Sequence, residues 1–251
     1  MLNKRLIGVV TVKDGLAVQS FGYSRYLPLG TPEILVENLD RWGADEIILQ
    51  CIDRGDLGPD LALLDRVSRG GLSTPLIYSG GILSVEEGRQ AVKAGAERIS
   101  LDAMLHDKPH AISDLCGCLG AQALVAMLPV SSAEEGAELA WLDYRTGGER
   151  PFSRELKQLF EDGLISEAML IDWRHEGSPN AFDVRLLDAF PLEDIPLIAF
   201  GGLSEAAQLK RALAHPRVVA VAVGNFLSYR EHAIGEYKQQ LRGLPLRPHK
   251  V

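Results

Sequence analysis

Two Gly-Gly turns, each followed closely by a serine, are the strongest candidates for chemistry in this sequence. The first is Ser79-Gly80-Gly81-Ile82-Leu83-Ser84 and the second is Phe200-Gly201-Gly202-Leu203-Ser204. Glycine lets a ligand approach the backbone closely, and a following helix offers free N–H groups and a positive dipole end. Ser84 and Ser204 are predicted N-caps of those helices. The pattern is typical of phosphate binding, although the same glycines would also suit tight turns with no ligand.

The elements that position these turns are short apolar runs alternating with amphipathic stretches. We predict eight strands: Leu6–Val12, Glu46–Ile52, Pro75–Tyr78, Arg98–Leu101, Ala123–Leu128, Ala168–Ile171, Pro196–Phe200 and Val218–Val223. Helix-length segments lie between most of them: Glu33–Trp42, Asp60–Arg69, Ser84–Ala94, Pro109–Leu119, Ser153–Glu161, Asp183–Phe190, Ser204–Leu213 and Tyr229–Leu241. This alternation predicts a parallel sheet covered by helices. Residues 129–150 are predicted to form a hairpin or loop after the fifth strand, and 15–32 a long loop.

An internal repeat favours a closed barrel over an open, doubly wound sheet. The two Gly-Gly turns are 121 residues apart, and Gly43-Ala44-Asp45-Glu46-Ile47-Ile48-Leu49 has a weaker echo at 164–170 with the same offset. Two echoes at one offset, about half the chain, indicate two fused half-barrels. We therefore predict a single (β/α)₈ TIM barrel domain over residues 1–251.

In such a barrel the loops after the seventh and eighth strands often bind phosphate. Gly201, Gly202, Gly224 and Asn225 lie there and form what we call the second-half site. Gly80, Gly81, Asp102 and Ala103 occupy the equivalent places in the first half and form the first-half site. A phosphorylated small molecule is the expected ligand.

Composition limits the functional class. The net charge of −8 disfavours binding to nucleic acid or to an anionic membrane, since both need Lys and Arg against phosphates. No apolar run is long enough to span a membrane, and no signal peptide is apparent. Three cysteines, Cys51, Cys116 and Cys118, suggest reduced thiols in a cytoplasmic protein without a metal centre, and we predict no cofactor.

Several short motifs, spread with nearly constant spacing from one end to the other, resemble those of HisF, the cyclase subunit of imidazole glycerol phosphate synthase. They are Lys4-Arg5-Leu6-Ile7, Val12-Lys13-Asp14-Gly15, Gly43-Ala44-Asp45-Glu46, Ser79-Gly80-Gly81-Ile82, Gly177-Ser178, Gly201-Gly202 and Tyr229-Arg230-Glu231. The resemblance implies a half-barrel-duplicated enzyme of histidine biosynthesis, with one substrate phosphate bound in each half. It adds Gly177 and Ser178 to the second-half site. It also implies a HisH-like glutaminase subunit, whose ammonia travels along the barrel axis.

The acid and base that this resemblance implies are both replaced. The family uses two aspartates that end strands one and five, and their positions are predicted here at Thr11 and Leu128. Neither side chain transfers protons near neutral pH. Other candidates near strand ends are Asp53, Asp102, Asp172 and His175, although a loop histidine is more often simply solvated. The family also has an amide and a hydroxyl where this chain has Asp102 and Ala103, and a carboxylate repels phosphate.

The opposite end of the barrel keeps the family pattern. The resemblance assigns an ammonia gate of alternating charge to Arg5, Glu46, Arg98 and Glu167, with Arg98 in place of a lysine, and a glutaminase interface to Glu97. The alternative is a structural ring of ion pairs that plugs the barrel floor.

These patterns leave three functional hypotheses. In the first, the chain is a divergent HisF-like paralogue that partners a glutaminase and conducts ammonia to a sugar amidotransferase, for amidination of a surface-polysaccharide (O-antigen) sugar. In the second, it remains the cyclase of histidine biosynthesis, although losing one acid–base group typically costs about 10²–10⁴-fold in rate. In the third, it is a non-catalytic phosphosugar-binding barrel.

Overall fold

Eight parallel strands close into a barrel in the computed structural model, which describes residues 3–132 and 138–247. The barrel strands are β1 (Arg5–Lys13), β4 (Glu46–Cys51), β5 (Leu76–Ser79), β6 (Arg98–Leu101), β7 (Leu124–Ser131), β10 (Glu167–Asp172), β11 (Leu197–Phe200) and β12 (Val218–Val223). Closure comes from β1 beside β12 and β7 beside β10. The predicted (β/α)₈ barrel is confirmed.

Helices cover the outside of the barrel. They are α1 (Pro32–Arg41), α2 (Leu61–Ser68), α3 (Val85–Lys93), α4 (Ala103–Asp107), α5 (His110–Leu119), α6 (Arg154–Glu161), α7 (Arg185–Ala189), α8 (Ala206–Ala214) and α9 (Ala233–Gln240). Ser84 caps α3 as predicted, accepting the backbone N–H of Glu87. The prediction for Ser204 was wrong: α8 begins two residues later, and the Ser204 hydroxyl instead accepts the N–H of Asn180 at 2.8 Å.

The barrel strands are apolar on both faces, because one face meets the helices and the other fills the interior. Twelve buried side chains form the inner cluster, from Ile7 and Val9 of β1 round to Ala220 and Ala222 of β12. A larger cluster lies between strands and helices. Two strands of the first half, β4 and β5, recur as β10 and β11 at the offset of 121 that the sequence repeat predicts.

Two antiparallel hairpins extend from the barrel. Strands β2 (Leu16–Phe21) and β3 (Arg25–Gly30) follow β1, in a region predicted only as a long loop. Strands β8 (Ala140–Asp143) and β9 (Gly148–Pro151) follow β7, which confirms the predicted hairpin; part of that prediction, residues 133–137, lies outside the described residues. Among the described residues, no helix has the length and apolar character needed to cross a membrane.

Candidate functional site

A cavity of about 250 Å³ opens at the carboxyl ends of the strands in the first half of the barrel. Gly80, Gly81, Asp102 and Ala103 all line it, so the structure brings the predicted first-half site together. In parallel α/β barrels this face carries the binding site, because loops of variable sequence meet there on a rigid frame. The geometry therefore supports a ligand site here, without identifying the ligand.

Asp102 is the acid of this cavity, and the β8–β9 hairpin holds it. The indole Nε1 of Trp141, on β8, donates to Asp102 Oδ1 at 2.9 Å. Trp141 is fully buried and stacks on His106, with ring centroids 3.5 Å apart. Burial raises the pKa of Asp102 to about 7, although the Trp141 hydrogen bond lowers it in part. Burial also lowers the pKa of His106 to about 4, so its imidazole is neutral.

This raised pKa makes a prediction about stability. Asp102 binds its proton more tightly in the folded protein than in the unfolded chain, because its pKa is raised on folding. Its contribution to the free energy of unfolding is therefore fully present below about pH 4 and is lost as pH rises towards 7. The limiting slope for one proton is about 1.4 kcal/mol per pH unit. Asp102→Asn removes this titration and keeps an oxygen for Trp141. Urea unfolding at pH 5 and pH 8 should therefore show the variant gaining stability relative to wild type as pH rises; equal pH dependence of the two proteins contradicts this.

The structure corrects one predicted catalytic position. Thr11 is buried and lies on the same face of β1 as Ile7 and Val9, so it faces the barrel interior. Leu128, however, belongs to the outer cluster against the helices, and its neighbour Pro129 lines the cavity. The inner-face residue at this point of β7 is therefore Pro129, one residue later than predicted. Proline carries no titratable group, so an acid is still missing there.

Sequence reasoning missed a polar set on the cavity floor. Ser79, Gln50 and Ser100 line the cavity from β5, β4 and β6. Gln50 exchanges hydrogen bonds of 3.2 and 3.4 Å with the hydroxyl of Tyr23 from the β2–β3 hairpin. The Ser100 hydroxyl is buried and has no hydrogen-bond partner among the described residues. The available signal was a polar residue within each apolar strand, at the position that precedes a candidate turn or loop.

Packing alone is enough to require glycine at the two turns. A Cβ on Gly80 would lie 2.2 Å from the carbonyl oxygen of Cys51, and one on Gly201 would lie 2.5 Å from that of Asp172. Both φ angles are positive, +128° and +101°. The clashing carbonyls are themselves 121 residues apart, so both halves use the same close approach. The tight-turn interpretation therefore explains these glycines whether or not phosphate binds.

The second-half site is organised differently from the first. The Asn225 side chain accepts from Ser20 N at 3.0 Å and donates to Ser20 O at 2.5 Å, so it fastens β2. A Cβ on Gly177 would meet Ser20 O at 2.4 Å. Ser178 is exposed. None of the six second-half residues, all within the described ranges, lines the first-half cavity.

The remaining acid–base candidates serve loop contacts. Asp172 Oδ2 accepts from Asp183 N and lies 2.8 Å from His175 Nδ1; burial raises the pKa of Asp172, and these contacts partly offset the shift. His175 is exposed. Asp53 Oδ2 accepts from Asp14 N at 2.5 Å. These three side chains do not line the cavity, and only Asp102 among the four candidates does.

At the opposite end, the four charged side chains at the starts of β1, β4, β6 and β10 form a closed ring, the floor ring. Arg5 contacts Glu46 at 2.8 Å and Glu167 at 2.7 Å, while Arg98 contacts Glu167 at 3.0 Å and Glu46 at 3.7 Å. All four side chains are at most 16% exposed. Burial opposes ionisation of Arg5, but the two glutamates outweigh it and raise its pKa.

Two further contacts hold this end of the barrel. Arg98 also donates to Gln122 O at 2.9 Å and Ser166 Oγ at 3.0 Å, which restrains its guanidinium. Beside it, Glu97 is exposed, and its Oε2 accepts from Leu76 N at 2.7 Å. One carboxylate oxygen of Glu97 is therefore used within the chain, and its charge remains at the surface.

The closed parallel barrel, with its cavity at the carboxyl ends of the strands, places this protein among the (β/α)₈ barrels with a loop-built site. Residues 5–233 match the family described as "Histidine biosynthesis protein", and the chain belongs to that family. It is 29% identical over 252 residues to "Putative imidazole glycerol phosphate synthase subunit hisF2" of Vibrio vulnificus (strain YJ016), covering 98% of this chain and 91% of that protein. It is 28% identical over 253 residues to "Imidazole glycerol phosphate synthase subunit HisF" of Geobacillus kaustophilus (strain HTA426), covering 96% and 97%.

Proposed function

We propose that this barrel partners a HisH-like glutaminase at its floor and conducts ammonia to the cavity, where a sugar amidotransferase uses it to amidinate a surface-polysaccharide sugar. The observation that carries the proposal is the split between the two ends. The floor ring is complete, whereas the inner-face residues Thr11 of β1 and Pro129 of β7 carry no acid. Both relatives are named as subunits, which supports a partner protein.

The interior between the two ends of the barrel favours the passage of a small uncharged molecule. The inner cluster that separates the floor ring from the cavity is entirely apolar. Transfer of an ion into such surroundings is very unfavourable, whereas a small uncharged amine loses much less. The ring would therefore face the partner, and the apolar layer would admit ammonia and exclude ammonium.

The partnership predicts a direct result on mixing. A HisH-type glutaminase should co-elute with this protein in size-exclusion chromatography and hydrolyse glutamine faster in its presence. Glu97→Gln keeps an oxygen for Leu76 N but removes the surface charge, and should weaken the complex about tenfold. Glu86→Gln, an exposed acid on α3, is the matched control and should leave binding unchanged. The absence of both co-elution and stimulation would contradict the proposal. An adjacent glutaminase gene and amidotransferase gene in the genome would support it.

A second candidate, the cyclase of histidine biosynthesis, is favoured by one observation. Asp102 provides a carboxyl group in the cavity with a pKa of about 7, suited to proton transfer near neutral pH. On this hypothesis Asp102 would replace the two missing acids. Complementation of a histidine auxotroph that lacks the authentic subunit decides between the two: robust growth that is lost in Asp102→Asn supports the cyclase and argues against the ammonia conduit.

A further inference from the structure

The first-half cavity contains very little positive charge for an anion. Among its described lining residues, Asp102 and Arg54 are the charged side chains. Arg54 is occupied by the loop: its Nε donates to Gly58 O at 2.8 Å, and its guanidinium lies 3.8 Å from Asp60. The nearby Arg145 bonds Asp107 and Asp143 outside the cavity. An anion in the cavity would therefore meet one carboxyl group, that of Asp102, and one guanidinium that is already bonded to the loop.

One donor beside Asp102, the indole N–H of Trp141, is already used. Trp141 Nε1 donates to Asp102 Oδ1, which leaves Oδ2 without a hydrogen-bond partner among the described residues. Asp102 precedes α4, a helix of only five residues, so the helix dipole there is short. A phosphate at this position would meet an acceptor and a like charge.

The floor of the same cavity presents groups that suit hydroxyls. Ser100 is 3% exposed, lines the cavity and has no hydrogen-bond partner among the residues described. A buried hydroxyl without a partner is unfavourable unless a ligand or a water molecule forms a hydrogen bond with it. Gln50 and Tyr23, which are hydrogen-bonded to each other, line the same cavity as further donors and acceptors, and the partly exposed Tyr144 adds an aromatic ring. Carboxyl, hydroxyl, amide and aromatic groups together match a polyhydroxylated ring.

We propose that the first-half site recognises the hydroxyl groups of an uncharged sugar, with Asp102 Oδ2 and Ser100 Oγ as the selecting atoms, and excludes phosphate. The class of ligand is thus a sugar unit without a phosphate at this end. The inference rests on the cavity alone and does not depend on a glutaminase partner. It separates this chain from a barrel that binds one phosphate in each half.

The indole N–H resonance of Trp141 gives a readout at the site itself. The chain has three tryptophans, and Trp141→Phe assigns the resonance. Sulfate is the anion probe, because its charge is constant from pH 6 to 8. At pH 8, wild type should show no saturable shift up to about 50 mM sulfate, while Asp102→Asn should bind at least about tenfold more tightly. Asp114→Asn, an exposed acid on α5, controls for net charge and should behave as wild type.

The sugar arm uses four unphosphorylated probes: ribose, glucose, galactose and N-acetylglucosamine. At least one of these sugars should shift the Trp141 resonance saturably. Ser100→Ala should weaken that binding about fivefold or more. Unchanged resonances of Trp42 and Trp173 in this variant would show that its fold is intact. Sulfate binding to wild type as tight as to Asp102→Asn overturns the proposal. So does a failure of sulfate to bind Asp102→Asn, or a panel in which no sugar binds at about 200 mM.

Discussion

Replacing Arg5 by methionine will lower the free energy of unfolding by about 3–5 kcal/mol. The substitution removes the cation that lies between Glu46 and Glu167 in the floor ring and leaves two buried carboxylates with Arg98 as their shared partner. Desolvated charges that lose a partner keep their desolvation cost without the attraction that offset it. Urea unfolding at pH 7, with midpoint and slope fitted separately, measures the change.

The control for this result is Arg41→Met. Arg41 pairs with Glu37 on α1, and both side chains are about two-thirds exposed. Such pairs contribute about 0.3–0.5 kcal/mol, so this variant should stay close to wild type. If Arg5→Met is as stable as Arg41→Met, the charges of the floor ring are solvated in solution rather than buried. The floor ring would then no longer support the proposed function.

The second large effect concerns the first Gly-Gly turn. Gly80→Ala should cost about 3–5 kcal/mol, because it combines a strained φ of +128° with a Cβ placed 2.2 Å from the Cys51 carbonyl oxygen. The neighbour is backbone of the adjacent barrel strand, so it yields only by moving β4 relative to β5. Thermal and urea unfolding would both detect a loss of this size.

Gly163→Ala separates strain from overlap. Gly163 also has a positive φ, +68°, but a Cβ there would meet nothing within 4 Å. Its cost should be about 1–2 kcal/mol from the left-handed backbone alone. Equal losses in the two variants would show that β4 and β5 adjust easily, and that the Gly80 position tolerates a side chain.

The sequence predicts the barrel well for a physical reason. Strands buried on both faces leave continuous apolar runs, and the duplicated half leaves an offset that fixes the partner of each motif. The same property explains the error at β7. Because Leu124–Ser131 is buried throughout, its pattern does not reveal which residues face inward. The predicted Leu128 packs against the helices, whereas Pro129 lines the cavity.

Contacts across the fold are the part that sequence alone cannot supply. Trp141 and Asp102 are 39 residues apart and meet only because the β8–β9 hairpin folds back over the cavity. No local pattern marks that pairing, yet it partly offsets the effect of burial on the pKa of Asp102 and determines which carboxyl oxygen is free. The wrong prediction of Ser204 as an N-cap has a similar origin, since its hydroxyl accepts a hydrogen bond from Asn180 N in the preceding loop.

The floor ring has a kinetic consequence. Arg5, Glu46 and Arg98 come from the first half of the chain, and Glu167 comes from the second. The full ring therefore forms only when the two halves meet and the barrel closes. Interactions that form after the folding transition state slow unfolding and leave the folding rate almost unchanged. We expect the floor ring to lower the unfolding rate and so to prolong the lifetime of the closed barrel.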